Sequence, residues 1–503
     1  MLFLEELAEN CRRRADHPYV LHGGRRVTFG EFERLTNRAG HALRLLGVVK
    51  GDRVTLALGN SVEWLVAAVG ALKAGGVLNP VNPALGAKEL GYVLSHADPR
   101  VIVTDPASAP AILAPAVSRP SSASVASFGG ADGALALDEM IAASSEDAVP
   151  VALRPEDGST LLYTSGTTGN PKGVLFTHGR TGGSGRFLIA GMGITSGDTI
   201  VFVGPLFHGN AWSGAACAMQ TGCTVTFPKA FHASEFWPLV HESGATVLFT
   251  LGSVLAILLA QKPSELERTS RLRVILGLGA APIRDRLKER FGVPHVVECF
   301  GSTDAGVVTL EPLGASPRPG SSGPPLPGVS VRITDDGGNE LPAGEVGEIS
   351  VLSPHRMAGY FRDPGETAKA LRGEWFLTGD LGYLDGDGWL YFVDRKHDVI
   401  RRGGENIASV LVEKTLREHP KVLEAAVIGV PDPVLGQEVK AFVVAREAVT
   451  EEELRSFAAE RLARFQVPRI WEFRDRLPKT PTQRVEKYKL RQESGDRGKP
   501  LLG

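Results

Sequence analysis

A chain of 503 residues is longer than one hydrophobic core normally supports, so two or three domains are expected. Its 55 Lys and Arg stand against 57 Asp and Glu, a formal charge of −2 at pH 7, which gives no electrostatic case for nucleic acid or an anionic membrane as a partner. The cysteines, Cys11, Cys217, Cys223 and Cys299, are too few for a disulfide framework in a chain of this size and lack metal-ligand spacing, so a reduced, cytoplasmic setting fits.

The start, MLFLEELAENCRRR, places its apolar residues before its arginines, the reverse of a secretory signal, and predicts a short amphipathic helix. From Thr28 to Asp105, helical stretches (EFERLTNRAGHALRLLG, SVEWLVAAVGALKAGG) alternate with short apolar strands (RVTLAL, VIVTD), as in a parallel sheet with helices on its faces. Between about Pro106 and Val151 the composition turns to Ala, Ser, Pro and Gly and predicts a long surface excursion without a part in the core. A second α/β stretch runs from Gly158 to about Leu310. Within it, Val247 to Ala260 is too short to span a bilayer and predicts a buried helix, although its opening VLFT is strand-like. Strand-dominated sequence follows from Pro317 to Val393, then an alternation of helix and strand (EKTLREHP, VLEAAVIGVPD, EVKAFVV, EEELRSFAAERLARF) predicts a C-terminal α+β domain beginning near DRKHD.

The densest chemistry lies in LLYTSGTTGNPKGV, Leu161 to Val174. Thr164, Ser165, Gly166, Thr167, Thr168 and Gly169 offer hydroxyls and backbone amides, and Lys172 adds a point charge. Glycines let N–H groups turn inward around an anion while hydroxyls supply donors or a magnesium contact, so a polyphosphate is the natural guest. The GxxxxGK[ST] order is absent, so this is not a Walker A loop, and an ordinary Ser/Thr/Gly turn is the plain alternative. YTSGTTGNPKG resembles, almost letter for letter, the signature of the adenylate-forming family of acyl-CoA synthetases, luciferases and nonribosomal adenylation domains, and the resemblance extends over essentially the whole chain.

That resemblance implies an α/β fold: residues 1–395 as a large N-terminal domain of two layered α/β subdomains plus a small β-barrel-like unit, binding ATP and the acyl substrate, and residues 396–503 as a small mobile α+β domain carrying the catalytic tail and a thiol tunnel. It also implies roles for later motifs. GLGAAP (Gly277–Pro282) resembles the adenine-side strand and turn, with Gly279, Ala280 and Ala281 against the base. ECFGSTDAG (Glu298–Gly306) resembles the aromatic-Gly-x-Thr-Glu motif. There Phe300 offers a face for stacking, Glu298 can accept from the adenine amino group, Gly301 and Ser302 flank the nucleotide and Thr303 can donate to the α-phosphate. Asp304, standing where the family usually has Glu, can hold Mg2+ together with Thr168. Asp380 in LTGDLG matches the ribose-binding carboxylate, Arg395 the second ribose contact, and His397 the hinge. A histidine at the hinge would tie domain rotation to pH, while a surface loop residue is the simpler reading. Gly403 and Gly404 would line the tunnel for coenzyme A, since glycines permit close approach of a slender ligand.

The tail LPKTPTQRVEKYKLR, Leu477 to Arg491, matches the family's last motif, with Gln483 for Gly and Arg484 for the lysine that bridges the attacking carboxylate and the α-phosphate. Arginine stays protonated and binds both groups, but its planar fork replaces a point charge. Lys487 and Lys489 stand as reserve cations. The acyl pocket is expected in PLFHGNAWSGAA, from Phe207, His208, Asn210 and Trp212, with Gly277; PLFHGNAW resembles the crotonobetaine/carnitine-type branch. His208 would gate the carboxylate end, while Trp212 either shortens the pocket or belongs to the core. The resemblance thus implies an acyl-CoA synthetase that activates a carboxylic acid as its adenylate and passes the acyl group to coenzyme A, or less readily to a carrier protein. Two rivals are ATP-dependent activation of nitrite for diazotisation of an aryl amine, and a non-catalytic nucleotide-binding homologue.

Overall fold

The computed structural model describes residues 2–164, 171–402, 405–479 and 485–494, the side chains of Ser184 and Pro282 excepted. The chain divides into two compact units, Met1–Val331 with Val351–Phe376, and Arg332–Ser350 with Leu377–Gly503.

Two sheets organise the first unit. One has seven strands in the order His295–Val297, Val274–Leu278, Val247–Leu251, Thr199–Phe202, Thr224–Thr226, Pro18–His22 and Arg25–Thr28, parallel throughout except for the last pair. The other has eight, in the order Gly359–Tyr360, Lys172–Thr177, Gly158–Thr164, Val77–Pro80, Arg53–Ala57, Val101–Thr104, Ser124–Ser127 and Leu135–Ala136. Strands such as VIVT (Val101–Thr104) and VLNP (Val77–Pro80) are buried along their whole length, as expected where helices cover both faces of a parallel sheet. The α/β class anticipated from the alternating pattern is met.

The opening stretch is the amphipathic helix expected, Phe3–Arg13, with Phe3, Leu7 and Cys11 buried and Glu5, Glu6 and Arg12, Arg13 placed to complement its dipole. Two other expectations are corrected. Val247–Ala260 is not one helix: Val247–Leu251 is a central strand, and the helix begins only at Gly252, where a Cβ would lie 2.3 Å from the carbonyl oxygen of Gly279. Nor is the Ala/Ser/Pro/Gly-rich stretch a bare excursion. Its Ser124–Ser127 segment adds a strand in parallel register to Val101–Thr104, because Val125, Ala126 and Phe128 bury enough apolar surface to fix it.

In the second unit, strand Trp375–Leu384 pairs from Asp380 onward with Leu390–Arg395, and a separate sheet runs Glu405–Ile407, Ile400–Arg402, Gly436–Ala445, Val422–Asp432, with Ile470–Phe473 alongside Gly436–Ala445. Helices Ser409–Arg417, Glu451–Ala459 and Lys487–Glu493 accompany it. Asp394 ties these parts together: its Oδ2 accepts from the backbone N–H of Ser409 at 2.6 Å and from the Ser409 hydroxyl at 2.7 Å, so a strand-end carboxylate caps the first helix of the terminal region.

Candidate active site

Strands His295–Val297, Val274–Leu278, Val247–Leu251 and Thr199–Phe202 are parallel neighbours, so the loops leaving their carboxyl ends collect along one edge of the sheet. His208 follows one of these strands, Gly279–Ala281 a second, and Glu298 to Asp304 a third. The topology therefore gathers residues that are some 90 positions apart in sequence, on the order of the length of a small domain.

The turn after Val274–Leu278 depends on glycine. Gly279 has φ +80°, a left-handed conformation that side chains resist. Gly277, expected to line the pocket, is a packing position: a Cβ there would meet Ala280 Cβ and Leu255 Cδ1, each at 2.8 Å. Holding the turn from below is Glu298. Its Oε1 accepts from Gly279 N–H at 2.8 Å and from Cys299 N–H at 3.2 Å, and its Oε2 from Ala281 N–H at 3.0 Å. Burial pushes this carboxyl up to about 7, against the pull of the backbone donors, with the nearby Glu311 adding to the rise. Glu311 in turn accepts from Glu298 N–H at 2.8 Å and forms an ion pair with Arg284, both side chains only 7% exposed. The carboxylate that suggested an adenine contact fixes the turn 19 and 17 residues upstream.

Beyond Glu298 the chain makes a hairpin, Cys299–Ser302 with Gly306–Leu310. Phe300 is buried within it, and Gly301 can only be glycine because a Cβ would stand 2.5 Å from Gly306 O. Thr303 and Asp304 occupy the hairpin tip, tightened by a hydrogen bond from Ala305 N–H to Ser302 Oγ at 3.1 Å. The backbone of Asp304 is fixed as well, accepting from Met357 N–H at 2.7 Å.

The anion loop connects two antiparallel strands, Gly158–Thr164 and Lys172–Thr177, with Thr164 opposite Lys172 at its base. Ser165, Gly166, Thr167, Thr168 and Gly169 lie outside the described residues. Lys172 forms an ion pair with Glu366, and its ammonium stands 5.1 Å from the centre of the Tyr360 ring. Burial, and after it the nearby Asp304 carboxylate, raise the pKa of Tyr360. Tyr360 and Glu366 were not singled out from sequence, because nothing in GYFRDPGET announces the strand pairing that places Tyr360 opposite Val174.

His208 is the N-cap of helix Gly209–Thr221, its Nδ1 accepting from Asn210 N–H at 3.3 Å, and burial lowers its pKa so that it stays neutral. The loop carrying Phe207 and His208 is held by Asn60, whose Oδ1 accepts from Leu206 N–H at 2.7 Å while its Nδ2 donates to Gly204 O at 3.1 Å and Pro228 O at 3.3 Å. Asn210 is half-buried in the helix's first turn. Trp212 packs against Trp64 and Phe3, ring centres 5.5 and 6.2 Å away, which is the core alternative.

In the second unit Asp380 and Arg395 are register partners, their side chains 3.5 Å apart. The Asp380 turn is fixed by Thr378 Oγ1, which accepts from Asp380 N–H at 3.1 Å, and by Glu348, which accepts from Gly379 N–H at 3.2 Å and from Lys396 at 2.8 Å. Gly403, Gly404 and Arg484 lie outside the described residues. Lys487 is committed to a largely buried ion pair with Glu413 at 2.7 Å and a bond to Ser409 Oγ at 2.6 Å, whereas the more exposed Lys489 pairs with Glu486.

Among the described residues, no three His, Cys, Asp or Glu side chains cluster to hold a metal ion. A lone hairpin-tip carboxylate such as Asp304 suits Mg2+ that arrives on a polyphosphate, because magnesium keeps most of its water and needs one or two protein carboxylates. No helix of the described residues is long and apolar enough to cross a membrane.

A glycine turn and a hairpin at the carboxyl ends of parallel strands are where an open α/β sheet takes its ligand. The chain belongs to the AMP-binding enzyme family, whose AMP-binding enzyme region matches residues 7–361 and whose C-terminal domain matches residues 411–484. It is 34% identical over 485 residues to a feruloyl-CoA synthase of Amycolatopsis sp, spanning 95% of this chain and 96% of that one. A sulfoacetate–CoA ligase of Cupriavidus necator is 33% identical over 484 residues, 94% of each chain. Among solved structures, the anthranilate CoA ligase AuaEII in complex with anthranoyl-AMP superposes with a TM-score of 0.91 at 27% identity, covering 98% of this chain and 97% of that one. The mixed α/β fold, with a large N-terminal and a smaller C-terminal domain, agrees with these structures.

Proposed function

We propose that the protein is an ATP-dependent acid–thiol ligase. A substrate carboxylate attacks the α-phosphorus of ATP, forming an acyl-adenylate and releasing pyrophosphate; the sulfur of coenzyme A then attacks the acyl carbon, AMP leaves, and the thiol proton is released. The observation that carries the reading is similarity over the full length of chains named as CoA ligases, including one solved with an acyl-AMP.

Within this reading, Gly279–Ala281, Glu298, Phe300, Gly301 and Ser302 form the adenine side, Thr303 donates to the α-phosphate, and Thr164 to Gly169 with Lys172 hold the polyphosphate. Asp380 and Arg395 take the ribose hydroxyls. Asp304 and Thr168 would hold Mg2+, which supplies charge neutralisation on the phosphates when bound. His208, neutral and fixed by Asn60 and its own helix, orients the acyl carboxylate. Residues 396–503 act as the mobile domain, turning at His397, with Gly403 and Gly404 beside the pantetheine arm. Arg484 is the cation between carboxylate and phosphate, a role favoured by the commitment of Lys487 to Glu413. No charged residue in PLFHGNAWSGAA awaits a second substrate carboxylate, which supports a mostly apolar or aromatic acid; the similarity of PLFHGNAW to the crotonobetaine/carnitine-type branch is the further resemblance. The relatives named for ferulate and for sulfoacetate stand equally near, so identity alone does not select one.

The test is pyrophosphate release from ATP and Mg2+, then acyl-CoA formation, over a panel of aliphatic and aromatic acids with nitrite as a further arm. Release with a carboxylic acid and thioester formation on adding coenzyme A are expected; release with nitrite alone would transfer the reading to diazotisation, and ATP binding without release to a regulator. In Arg484→Ala, pyrophosphate formation should fall on the order of a hundredfold, with Arg484→Lys restoring part of it.

A further inference from the structure

Lys172 stands at the start of its strand, and a lysine ammonium on a flexible four-carbon stem has no fixed aim of its own. Here two groups from one neighbouring segment fix it. Gly359–Tyr360 pairs antiparallel with the Lys172 strand, placing Tyr360 opposite Val174, and Phe361 N–H donates to Gly173 O at 2.7 Å. Arg362 then adopts φ +55°, rare for a residue with a Cβ, and is held by an ion pair with Asp98 at 3.0 Å. This turn starts helix Pro364–Ala370, N-capped by Asp363, whose Oδ1 accepts from Glu366 N–H at 2.9 Å. Thr367 of the same helix reaches back, its Oγ1 accepting from Tyr360 N–H at 2.9 Å and donating to Asp363 O at 2.8 Å. The strand end and the helix start are therefore one braced unit, and a strained residue is maintained within it.

That unit presents two side chains to the phosphate end of the site. Glu366 accepts from Lys172 on one oxygen and from Lys369 at 2.7 Å on the other, and Lys172 and then Lys369 hold its carboxyl down to about 2. The Tyr360 ring faces the Lys172 ammonium, its centre 5.1 Å away. An ammonium has three N–H donors. With one on Glu366 and the cation directed at the ring face, Lys172 keeps donor capacity for an incoming phosphate without losing its orientation.

We infer that Glu366 and Tyr360 are positioning residues that aim Lys172 at a magnesium-bound polyphosphate, Glu366 holding the ammonium by charge and Tyr360 by the face of its ring. The inference rests on the nucleotide reading above and adds to it the groups that orient its lysine.

The experiment is calorimetric titration of the full chain with ATP in the absence of any carboxylic acid, so that binding and not turnover is read, at Mg2+ concentrations from about 0.1 to 10 mM. The variants are Tyr360→Leu, which removes the ring, Tyr360→Phe, which keeps it, Glu366→Gln, and Glu366→Asp. Glu366→Gln should weaken ATP binding about three- to tenfold at every Mg2+ concentration, with Glu366→Asp recovering part of the loss. Tyr360→Leu should weaken ATP binding several-fold, whereas Tyr360→Phe should stay within about twofold of the unaltered protein. A merely structural role would lower thermal stability and leave ATP affinity unchanged. Unchanged ATP binding in both Glu366→Gln and Tyr360→Leu, or tighter binding in Glu366→Gln, would overturn the inference alone. Absence of ATP binding by the unaltered protein would overturn the nucleotide reading on which it stands.

Discussion

Glu298 and Glu366 are the same residue type at two ends of one candidate site, and the fold treats them in opposite ways. Glu298 is buried and surrounded by backbone N–H groups; burial drives its carboxyl up to about 7. Glu366 is 30% exposed and faces two lysines that hold it down to about 2. A carboxylate bonded to main chain fixes a turn that does not move, whereas one bonded to long cationic side chains fixes a direction while leaving its partners free to adjust. On the proposed reading, the adenine side is thus rigid by burial and the phosphate side aimed by charge.

The largest effect is expected where the rigid side is founded. Arg284 and Glu311 form a buried pair behind Glu298, and Glu311 also receives the Glu298 N–H. Arg284→Met should lower unfolding stability by about 3–5 kcal/mol, because it leaves a carboxylate buried without its cation. Chemical denaturation measures this. Arg284→Met combined with Glu311→Leu should recover most of the loss, since replacing both partners removes the uncompensated charge. Failure of the double variant to recover stability would assign the deficit to packing and weaken the contrast between the two ends.

A smaller, pH-dependent effect isolates Glu298 itself. The unfolded chain releases this proton near 4.5 and the folded chain near 7. Between those values the folded state holds more protons, so this group's contribution to stability falls as pH rises from about 4.5 to about 7 and is flat outside that window. Nucleotide binding should run the other way. Both oxygens of Glu298 accept from backbone N–H groups, and a proton on either one removes an acceptor from the turn at Gly279–Ala281. ATP affinity should therefore weaken by at most about tenfold between pH 8 and pH 6, in proportion to the ionised fraction. Glu298→Gln should flatten both profiles. Parallel trends in stability and affinity, or an unchanged profile in the glutamine variant, would show that another group titrates there.

Much of this organisation was legible in sequence because it is local. The α/β alternation and the N-terminal amphipathic helix announce themselves within a few residues, and the GLGAAP and ECFGSTD motifs by resemblance, though not the hairpin that the second forms. What escaped were the partners brought in by topology. Asn60 holds the Leu206 loop from 146 residues away, Tyr360 meets Lys172 through a short strand pairing, and Glu298 serves a turn that precedes it. Tertiary context also overrode composition where Ser124–Ser127 became a strand, and it split the apolar run at Gly252, where only a residue without Cβ fits against Gly279. A reserve cation read from charge alone, Lys487, proved to be paired with Glu413, a partner no spacing rule indicates.

The smallest effect sharpens the aimed side. Lys369 shares Glu366 with Lys172, yet its side chain is 77% exposed, and such pairs contribute little because water screens them. Lys369→Ala should leave the thermal midpoint unchanged within error and alter ATP affinity by about twofold or less, measured by the same titration. If the exposed cation were merely part of a diffuse positive field, its loss would weaken binding as much as Glu366→Gln and would do so less at high salt. If Glu366 acts by aiming Lys172, removing its second partner strengthens its hold on the first, and ATP affinity stays level or rises slightly. The sign of that small change, compared at low and high ionic strength, separates a directed contact from a field.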